Sequence, residues 1–96
     1  LYTDFGCLTA DADLTADADL VFQQLASLTR GKPPKRLLLA PSSLHVELLR
    51  FIGRCADAAR EGCPARIVAK FNSLTDEALI QALIKASQAG VEIDLV

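Results

Sequence analysis

A lysine, an asparagine and a serine lie together in the segment Lys70-Phe71-Asn72-Ser73. An apolar run precedes the segment and a stretch with helical periodicity follows it, so it is predicted to join a strand to a helix. Side chains two residues apart on a strand point the same way, which places Lys70 and Asn72 on one face. A lysine, an amide and the N–H groups of a helix N-terminus together bind phosphate well. We therefore expect a phosphate site at Lys70, Asn72 and Ser73.

The same residues also have a purely structural interpretation. Ser73 or Thr75 could cap the helix, Asn72 could form a turn, and Lys70 could lie in solvent. The spacing of these residues leaves both interpretations open. A second predicted helix begins at the segment 41–43, Pro-Ser-Ser, but this segment carries no charge and capping by a serine explains it.

The other reactive residue types form no catalytic group. His45 is the only histidine, and a partly exposed structural role is favoured because no nucleophile lies at a recognised catalytic spacing. The cysteines Cys7, Cys55 and Cys63 match no C-x-x-C pair. They are interpreted as reduced thiols used as small apolar residues, and no metal site is expected. The glycine-rich phosphate-binding motifs are absent from the sequence.

Strands and helices alternate along the chain in the predicted order β-α-β-α-β-α-β. The four strands are expected at residues 1–9, 36–40, 65–71 and 91–96. Such alternation is typical of an α/β fold with a mostly parallel sheet flanked by helices. The 96 residues are enough for one small domain, so residues 1–96 are interpreted as a single domain fragment.

The first predicted helix follows a direct repeat, in which residues 9–14, Thr-Ala-Asp-Ala-Asp-Leu, recur as residues 15–20. Thr15 is expected to cap this helix, with Asp17 and Asp19 in its first turn, where carboxylates are favourable. The repeated aspartates are therefore interpreted as helix-start charges and not as an acid–base pair. The apolar stripe is predicted to contain Val21, Phe22, Leu25 and Leu28, and residues 31–34, Gly-Lys-Pro-Pro, are expected to end the helix.

The second and third helices each have an apolar stripe and a glycine near the end. A serine of the segment 41–43 is the expected cap of the second helix, which Gly62 and Pro64 end. The third begins near Thr75, with Asp76 in its first turn, and Gly90 follows its last residue. The predicted core residues of the second helix are Leu44, Leu48, Phe51, Ile52, Cys55 and Ala59. Those of the third are Leu79, Ile80, Leu83 and Ile84.

The overall composition excludes two classes of partner. The net charge is −2 and no basic stripe is present, so nucleic acid is not an expected partner. No run of eighteen apolar residues occurs, so no membrane span is expected. The chain contains no methionine, and it is therefore expected to be a piece of a longer protein.

Five segments together resemble bacterial polyphosphate kinase. Residues 1–11 are similar to the family pattern L-Y-T-D-x-x-L-L-T-A-D, and residues 65–74 contain its K-x-N-S-L pattern. Residues 21–25, 37–41 and 86–95 agree with the family in order and interval. The resemblance covers nearly the whole chain.

The resemblance implies a phospholipase-D-like catalytic domain in a parent enzyme that moves the terminal phosphate of ATP onto polyphosphate. The family's phosphorylated histidine lies in an H-x-G-T-G-N segment before the match to Leu1, and a second histidine and an arginine follow the match to Val96. No catalytic residue is therefore expected within residues 1–96, and the fragment alone is expected to be inactive. It would serve as scaffold and as a wall of the phosphate channel.

The resemblance also extends to ligands and partners. Lys70, Asn72 and Ser73 match the family's K-x-N-S-L segment, where the residue types already predict an anion. Phe22 matches an aromatic position on the adenine side, with Pro33 or Pro34 nearby. ATP and Mg²⁺ are expected to bind the parent, and neither is expected to bind the fragment alone. The expected partners are polyphosphate, the rest of the parent chain and further copies in a homo-oligomer. The expected location is the cytoplasm, with association of the parent with a membrane as the alternative. The alternative is a non-catalytic α/β module that binds an anion or a partner.

Overall fold

The computed structural model describes residues 4–96, which contain three helices and one two-stranded parallel sheet. In chain order these elements are α1 (Ala12–Ser27), α2 (Leu44–Arg60), β1 (Arg66–Ala69), α3 (Glu77–Gln88) and β2 (Glu92–Leu95). The predicted α/β class is thereby confirmed. The chain is divided into two compact units, residues 1–42 and 43–96. Between residues 4 and 96, no helix is both long enough and apolar enough to cross a bilayer.

Helix α1 of the first unit begins and ends earlier than its sequence predicts. Asp11 is the N-cap, because its side chain accepts a hydrogen bond from the N–H of Leu14 at 2.8 Å. The predicted cap, Thr15, lies inside the helix and its hydroxyl donates to the carbonyl of Asp11 at 3.0 Å. Leu28 ends the helix in the left-handed conformation, with φ of 53°, before Gly31 is reached.

The segment 36–40 is not the buried strand that its apolar run predicts. Its first N–H groups, from Arg36 and Leu37, donate to the carboxylate of Asp17 together with the N–H of Lys35. A strand needs those N–H groups for its ladder. The strand predicted at residues 1–9 is also not found where the structure describes it, because residues 4–9 have no regular secondary structure. Residues 1–3 of that prediction lie outside the described residues.

The second unit contains the sheet, whose strands β1 and β2 are parallel and joined by α3. Arg66 pairs with Glu92 and Ile67 with Ile93 in the register of the two strands. Residues alternate between half-buried and exposed along β1, as a strand covered on one face requires. The strand predictions at 65–71 and 91–96 are confirmed, and the observed strands are shorter.

Helices α2 and α3 end in the same hydrogen-bonded turn, built on a glycine with positive φ. Gly90, with φ of 102°, donates its N–H to Ser87, and Val91 donates to the carbonyl of Ala86. Gly62 has φ of 84° and follows α2 in the same way. This double hydrogen bond is the Schellman motif, and the left-handed residue it needs is least strained as glycine. Both glycines therefore end their helices as the sequence predicts.

The core of the second unit lies between α2, α3 and the inner face of the sheet. Its buried residues are small or aliphatic, namely Ile52, Ala56, Leu83, Ala86 and Val91. Three of these, Ala56, Ala86 and Val91, are not among the predicted helix core residues, and Val91 lies in the loop before β2. The exposed fractions of Phe51 and Ile84, 43% and 46%, show that the predicted stripes were too wide.

Candidate phosphate site at the end of the first strand

Lys70 lies at the carboxyl end of β1, where the pairing with the second strand continues beyond the strand itself. The N–H of Val96 donates to the carbonyl of Ala69 at 2.9 Å, and the N–H of Phe71 donates to the carbonyl of Val96 at 3.2 Å. Lys70 is exposed between the half-buried Ala69 and Phe71. It therefore continues the exposed face of β1, which also carries Val68.

Asn72 and Ser73 follow Lys70 at once and are both exposed. The chain bends at Asn72, so strand alternation extends only as far as Phe71. The common direction of Lys70 and Asn72 rests on that alternation and stays a prediction. Leu74, the next residue, packs against the core. The two exposed polar residues thus lie between a residue held by the sheet and a residue held by the core.

The N-terminus of α3 is not at this segment. The helix begins at Glu77, and its N-cap is Asp76, whose carboxylate accepts a hydrogen bond from the N–H of Leu79 at 2.9 Å. Neither Ser73 nor Thr75 is the cap. A carboxylate of the chain itself therefore occupies the positive end of the helix. The expectation that free N–H groups of this helix would meet phosphate beside Asn72 is wrong.

Asp76 also contacts the only histidine of the chain. The Nε2 atom of His45 lies 3.1 Å from the Oδ1 atom of Asp76, although the two residues are 31 positions apart. His45 is one residue into α2 and its side chain is 43% exposed, which agrees with the partly exposed position expected for it. The pKa of Asp76 is lowered, first by the N–H of Leu79 and then by His45.

This histidine–aspartate pair was not predicted. Each residue has a signal in the sequence, since aspartate is a favoured N-cap and His45 falls in the first turn of a predicted helix. Their contact depends on the N-termini of α2 and α3 lying side by side. The order of elements suggests such an arrangement, but the residue types do not.

Phe22, expected on the adenine side, lies on α1 in the first unit and is 72% exposed. Leu25 and Leu28, on the same predicted stripe, are 67% and 93% exposed. The covered face of α1 instead contains the buried Asp17 with the half-buried Val21. The prediction of an apolar stripe through Phe22, Leu25 and Leu28 is therefore wrong, because a carboxylate organises the covered face.

Asp17 is 4% exposed and has a lowered pKa, chiefly because the N–H of Lys35 donates to its carboxylate. The N–H groups of Arg36 and Leu37 lower the pKa further, against the opposing effect of burial. This role was not predicted, because the sequence placed Asp17 in a first helical turn. Its partners lie 18 to 20 residues away, a separation that no local pattern indicates.

An apolar groove lies between α2, β1 and α3 in the second unit. Its volume is about 180 Å³, and Leu48, Phe51, Cys55, Phe71 and Leu79 are among the residues that line it. A groove with so few polar groups would not bind phosphate, because an anion would lose its hydration without replacement. Of the thiols, Cys55 is half-buried at this groove, whereas Cys7 and Cys63 are exposed and do not act as small core residues.

The chain is similar to polyphosphate kinases over its whole length. It is 51% identical over 96 residues to the polyphosphate kinase of Pseudomonas putida and 52% identical to that of Pseudomonas aeruginosa. The identity to the polyphosphate kinase of Neisseria meningitidis serogroup B is 45% over 98 residues. Each alignment covers 100% of this chain and 13% to 14% of the relative. Residues 37–96 match the family model described as polyphosphate kinase C-terminal domain 2. The chain therefore belongs to the polyphosphate kinase family.

Proposed function

We propose that the chain is part of an enzyme that transfers the terminal phosphate of ATP reversibly to polyphosphate. One observation carries the proposal, namely identity of 45% to 52% to polyphosphate kinases over the whole chain. The phosphoryl group passes through a histidine outside residues 1–96, which splits the transfer into two steps. The chain itself acts as scaffold and as one wall of the phosphate channel, and it is inactive alone.

ATP and Mg²⁺ are the cofactors of the proposed parent enzyme, and Mg²⁺ would neutralise charge on the phosphates. Among the described residues, no group of three His, Cys, Asp or Glu side chains could hold a metal ion.

Lys70, Asn72 and Ser73 are the proposed phosphate-binding residues. All three are exposed, and only Phe71 separates Lys70 from the other two in the sequence. The N–H of Phe71 is hydrogen-bonded to Val96, which fixes this position beside the sheet. Lys70 supplies a positive charge, the amide of Asn72 supplies N–H donors and Ser73 supplies a hydroxyl donor. Because Asp76 caps α3, the backbone of that helix adds little, and the proposed contact rests on these side chains.

Phe22 is the proposed adenine-side residue of the first unit. Its ring is largely exposed, and an exposed aromatic ring can stack on a nucleobase. Pro33 or Pro34, within the segment 31–34 after α1, is proposed to lie nearby. Leu25, on the same helix and similarly exposed, offers a matched apolar control.

The parent is further proposed to have the phospholipase-D-like topology, with more strands than the two described here. Two observations support additional strands. Within residues 4–96, β1 pairs on one edge only, and the exposed fraction of Val68 on its outer face is 65%. Both features suit a strand placed inside a wider sheet. A homo-oligomer and a cytoplasmic location are proposed from the family resemblance alone.

The transfer mechanism is tested by labelling. The full-length parent incubated with radiolabelled ATP and Mg²⁺ should carry acid-labile phosphate on a histidine outside residues 1–96. The isolated chain of residues 1–96 should incorporate no label. Phosphate found on His45 of the isolated chain would contradict the proposed division between scaffold and nucleophile.

The phosphate site is tested by substitution in the full-length parent. Lys70→Ala and Asn72→Ala should each lower kcat/KM for polyphosphate synthesis about ten- to hundredfold, as expected for loss of a charge-assisted contact. Lys85→Ala, an exposed lysine in the last turn of α3, should leave it unchanged. If all three variants were as active as the wild type, the phosphate site would not lie in this segment.

The adenine-side residue is tested in the same full-length parent. Phe22→Ala should raise KM for ATP, whereas Leu25→Ala should not.

A further inference from the structure

The segment 70–76 is fixed to the rest of the second unit at three points, and we call it the strand–helix loop. At its start, the N–H of Phe71 donates to the carbonyl of Val96. In its middle, Leu74 packs against the core. At its end, Asp76 accepts hydrogen bonds from Leu79 and from His45. The exposed Asn72 and Ser73 lie between these points.

The contact of Asp76 with His45 differs from the other two in what it joins. The first two points tie the loop to the sheet and the core, whereas His45 lies in the first turn of α2. The Oδ1 atom of Asp76 accepts from both His45, at 3.1 Å, and Leu79, at 2.9 Å. One carboxylate oxygen therefore starts α3 and connects it to α2, so movement of the loop end would break both hydrogen bonds.

The hydrogen bond between His45 and Asp76 lies near the surface, so its removal should leave the core packing intact. The side chains of His45 and Asp76 are 43% and 45% exposed, and neither belongs to the core cluster. Hydrogen bonds at such positions contribute modestly to global stability. Their effect on where a short loop is held can be larger, because a ligand binds best to a loop already fixed in its bound conformation.

We propose that His45 is a positioning residue, whose hydrogen bond to Asp76 holds the strand–helix loop so that Asn72 and Ser73 meet phosphate. The inference rests on the proposed function, since it needs Lys70, Asn72 and Ser73 to bind phosphate. It assigns His45 no contact with substrate and no proton transfer. Loss of the bond lets the loop end move, and phosphate binding then has to fix it again.

The test measures steady-state kinetics of the full-length parent with polyphosphate and ADP as substrates. His45→Ala should raise KM for polyphosphate about three- to tenfold, as expected for one hydrogen bond, with kcat little changed. His45→Gln, whose amide can still donate to Asp76, should recover part of the loss. Asp76→Ser should behave like His45→Ala, because serine caps α3 but cannot reach α2. The double variant should be no worse than either single variant.

A control variant and the stability of each protein separate positioning from a merely structural role. Glu47→Ala removes an ion pair with Arg50 that lies within α2, and it should leave KM unchanged. One outcome would contradict the positioning role and leave the phosphate site standing. In that outcome His45→Ala lowers the melting temperature without changing KM for polyphosphate, whereas Lys70→Ala raises this KM. If Lys70→Ala and Asn72→Ala also leave KM unchanged, the proposed phosphate site itself is wrong.

Discussion

The carboxylate of Asp17 accepts a hydrogen bond from the N–H of Leu37 at 3.0 Å, across 20 residues of chain. The same carboxylate accepts from Lys35 and Arg36. Three consecutive N–H groups directed at one anion form the arrangement that proteins often use for phosphate. Here the anion belongs to α1, so the first unit closes on itself through a side chain where the sequence predicts a strand.

Replacement of Asp17 should release the segment 35–37. Asp17→Asn removes the negative charge that makes these hydrogen bonds strong, so the amides of Lys35, Arg36 and Leu37 should exchange with deuterium about tenfold faster. The measurement is hydrogen–deuterium exchange at pH 7 in the full-length parent. Asp19→Asn is the control, because Asp19 is exposed and bonds to Gln23 within α1. Unchanged exchange in Asp17→Asn would contradict the role of the carboxylate.

The contribution of Asp17 should also depend on pH in a definite direction. Its pKa in the folded chain is lowered, chiefly by the N–H of Lys35, whereas the pKa of an aspartate in an unfolded chain is about 3.9. A lowered pKa means that the stabilisation is complete above the unfolded value and is lost as the pH falls through the folded value. Protection of the segment 35–37 should therefore be constant from pH 7 to about 5 and decrease in stronger acid. Protection that decreased near pH 6 would identify another group.

Two glycines should respond in opposite directions to the same substitution. Gly90→Ala forces a side chain into the left-handed region, at φ of 102°, and should destabilise the chain by about 1–2 kcal/mol. Gly53 lies within α2, and an added Cβ there would meet nothing within 4 Å. Gly53→Ala should therefore stabilise by about 0.5–1 kcal/mol. Denaturant unfolding followed by circular dichroism measures both, and a shift of the same sign would refute the conformational argument.

Adjacent residues of α3 should differ strongly in their effect on stability. Leu83 is 7% exposed in the core, and Leu83→Ala should cost about 2–5 kcal/mol through lost burial and the cavity that remains. Ile84 has a side chain of similar size to that of Leu83, but it lies on the outer face of the helix and is 46% exposed. Ile84→Ala should cost about 1 kcal/mol or less. Comparable costs in the same unfolding experiment would mean that the outer face is covered in solution.

The three thiols should react at different rates with a thiol reagent under native conditions. Cys7 and Cys63 are exposed, whereas Cys55 is half-buried at the apolar groove. Cys7 and Cys63 should be modified first, and Cys55 should react about tenfold more slowly because the reagent must enter the groove. Mass spectrometry of the peptides at short times measures the order. Prior modification of Cys55 would show that the groove opens readily.

Local chemistry predicted the second unit better than the first. Gly62 and Gly90 each end a helix through hydrogen bonds to carbonyls a few residues back, and these predictions agree with the structure. Ser43 stands at the N-cap of α2, but its side chain makes no capping hydrogen bond. The apolar runs at β1 and β2 pair with each other, so both form strands as predicted. The start of α3 was missed by a few residues, because Ser73, Thr75 and Asp76 are all acceptable caps and only packing selects between them.

The first unit was predicted less well because its contacts are distant in sequence. Asp17 looks like a first-turn residue until its partners near Leu37 are known. Phe22 was placed on a covered stripe from its apolar character, yet the described residues leave it exposed. The proposed phosphate residues Lys70, Asn72 and Ser73 were identified from residue types and from the family pattern, and the structure places them just past β1, exposed. Their contact with phosphate stays a prediction.

The direct repeat of residues 9–20 encodes one hexapeptide twice, yet the equivalent aspartates have unrelated roles. Asp11 is the N-cap of α1, and Asp17 bonds to the segment 35–37. Six residues advance a helix by 9 Å and rotate it by about 240° beyond one full turn. After deletion of one copy, one aspartate would remain at the repeat position of Asp11 and Asp17. It could either cap α1 or accept hydrogen bonds from the segment 35–37, but it could not do both. Both copies of the hexapeptide are therefore needed. A chain with one copy would lack either the N-cap of α1 or the carboxylate that fixes the segment 35–37.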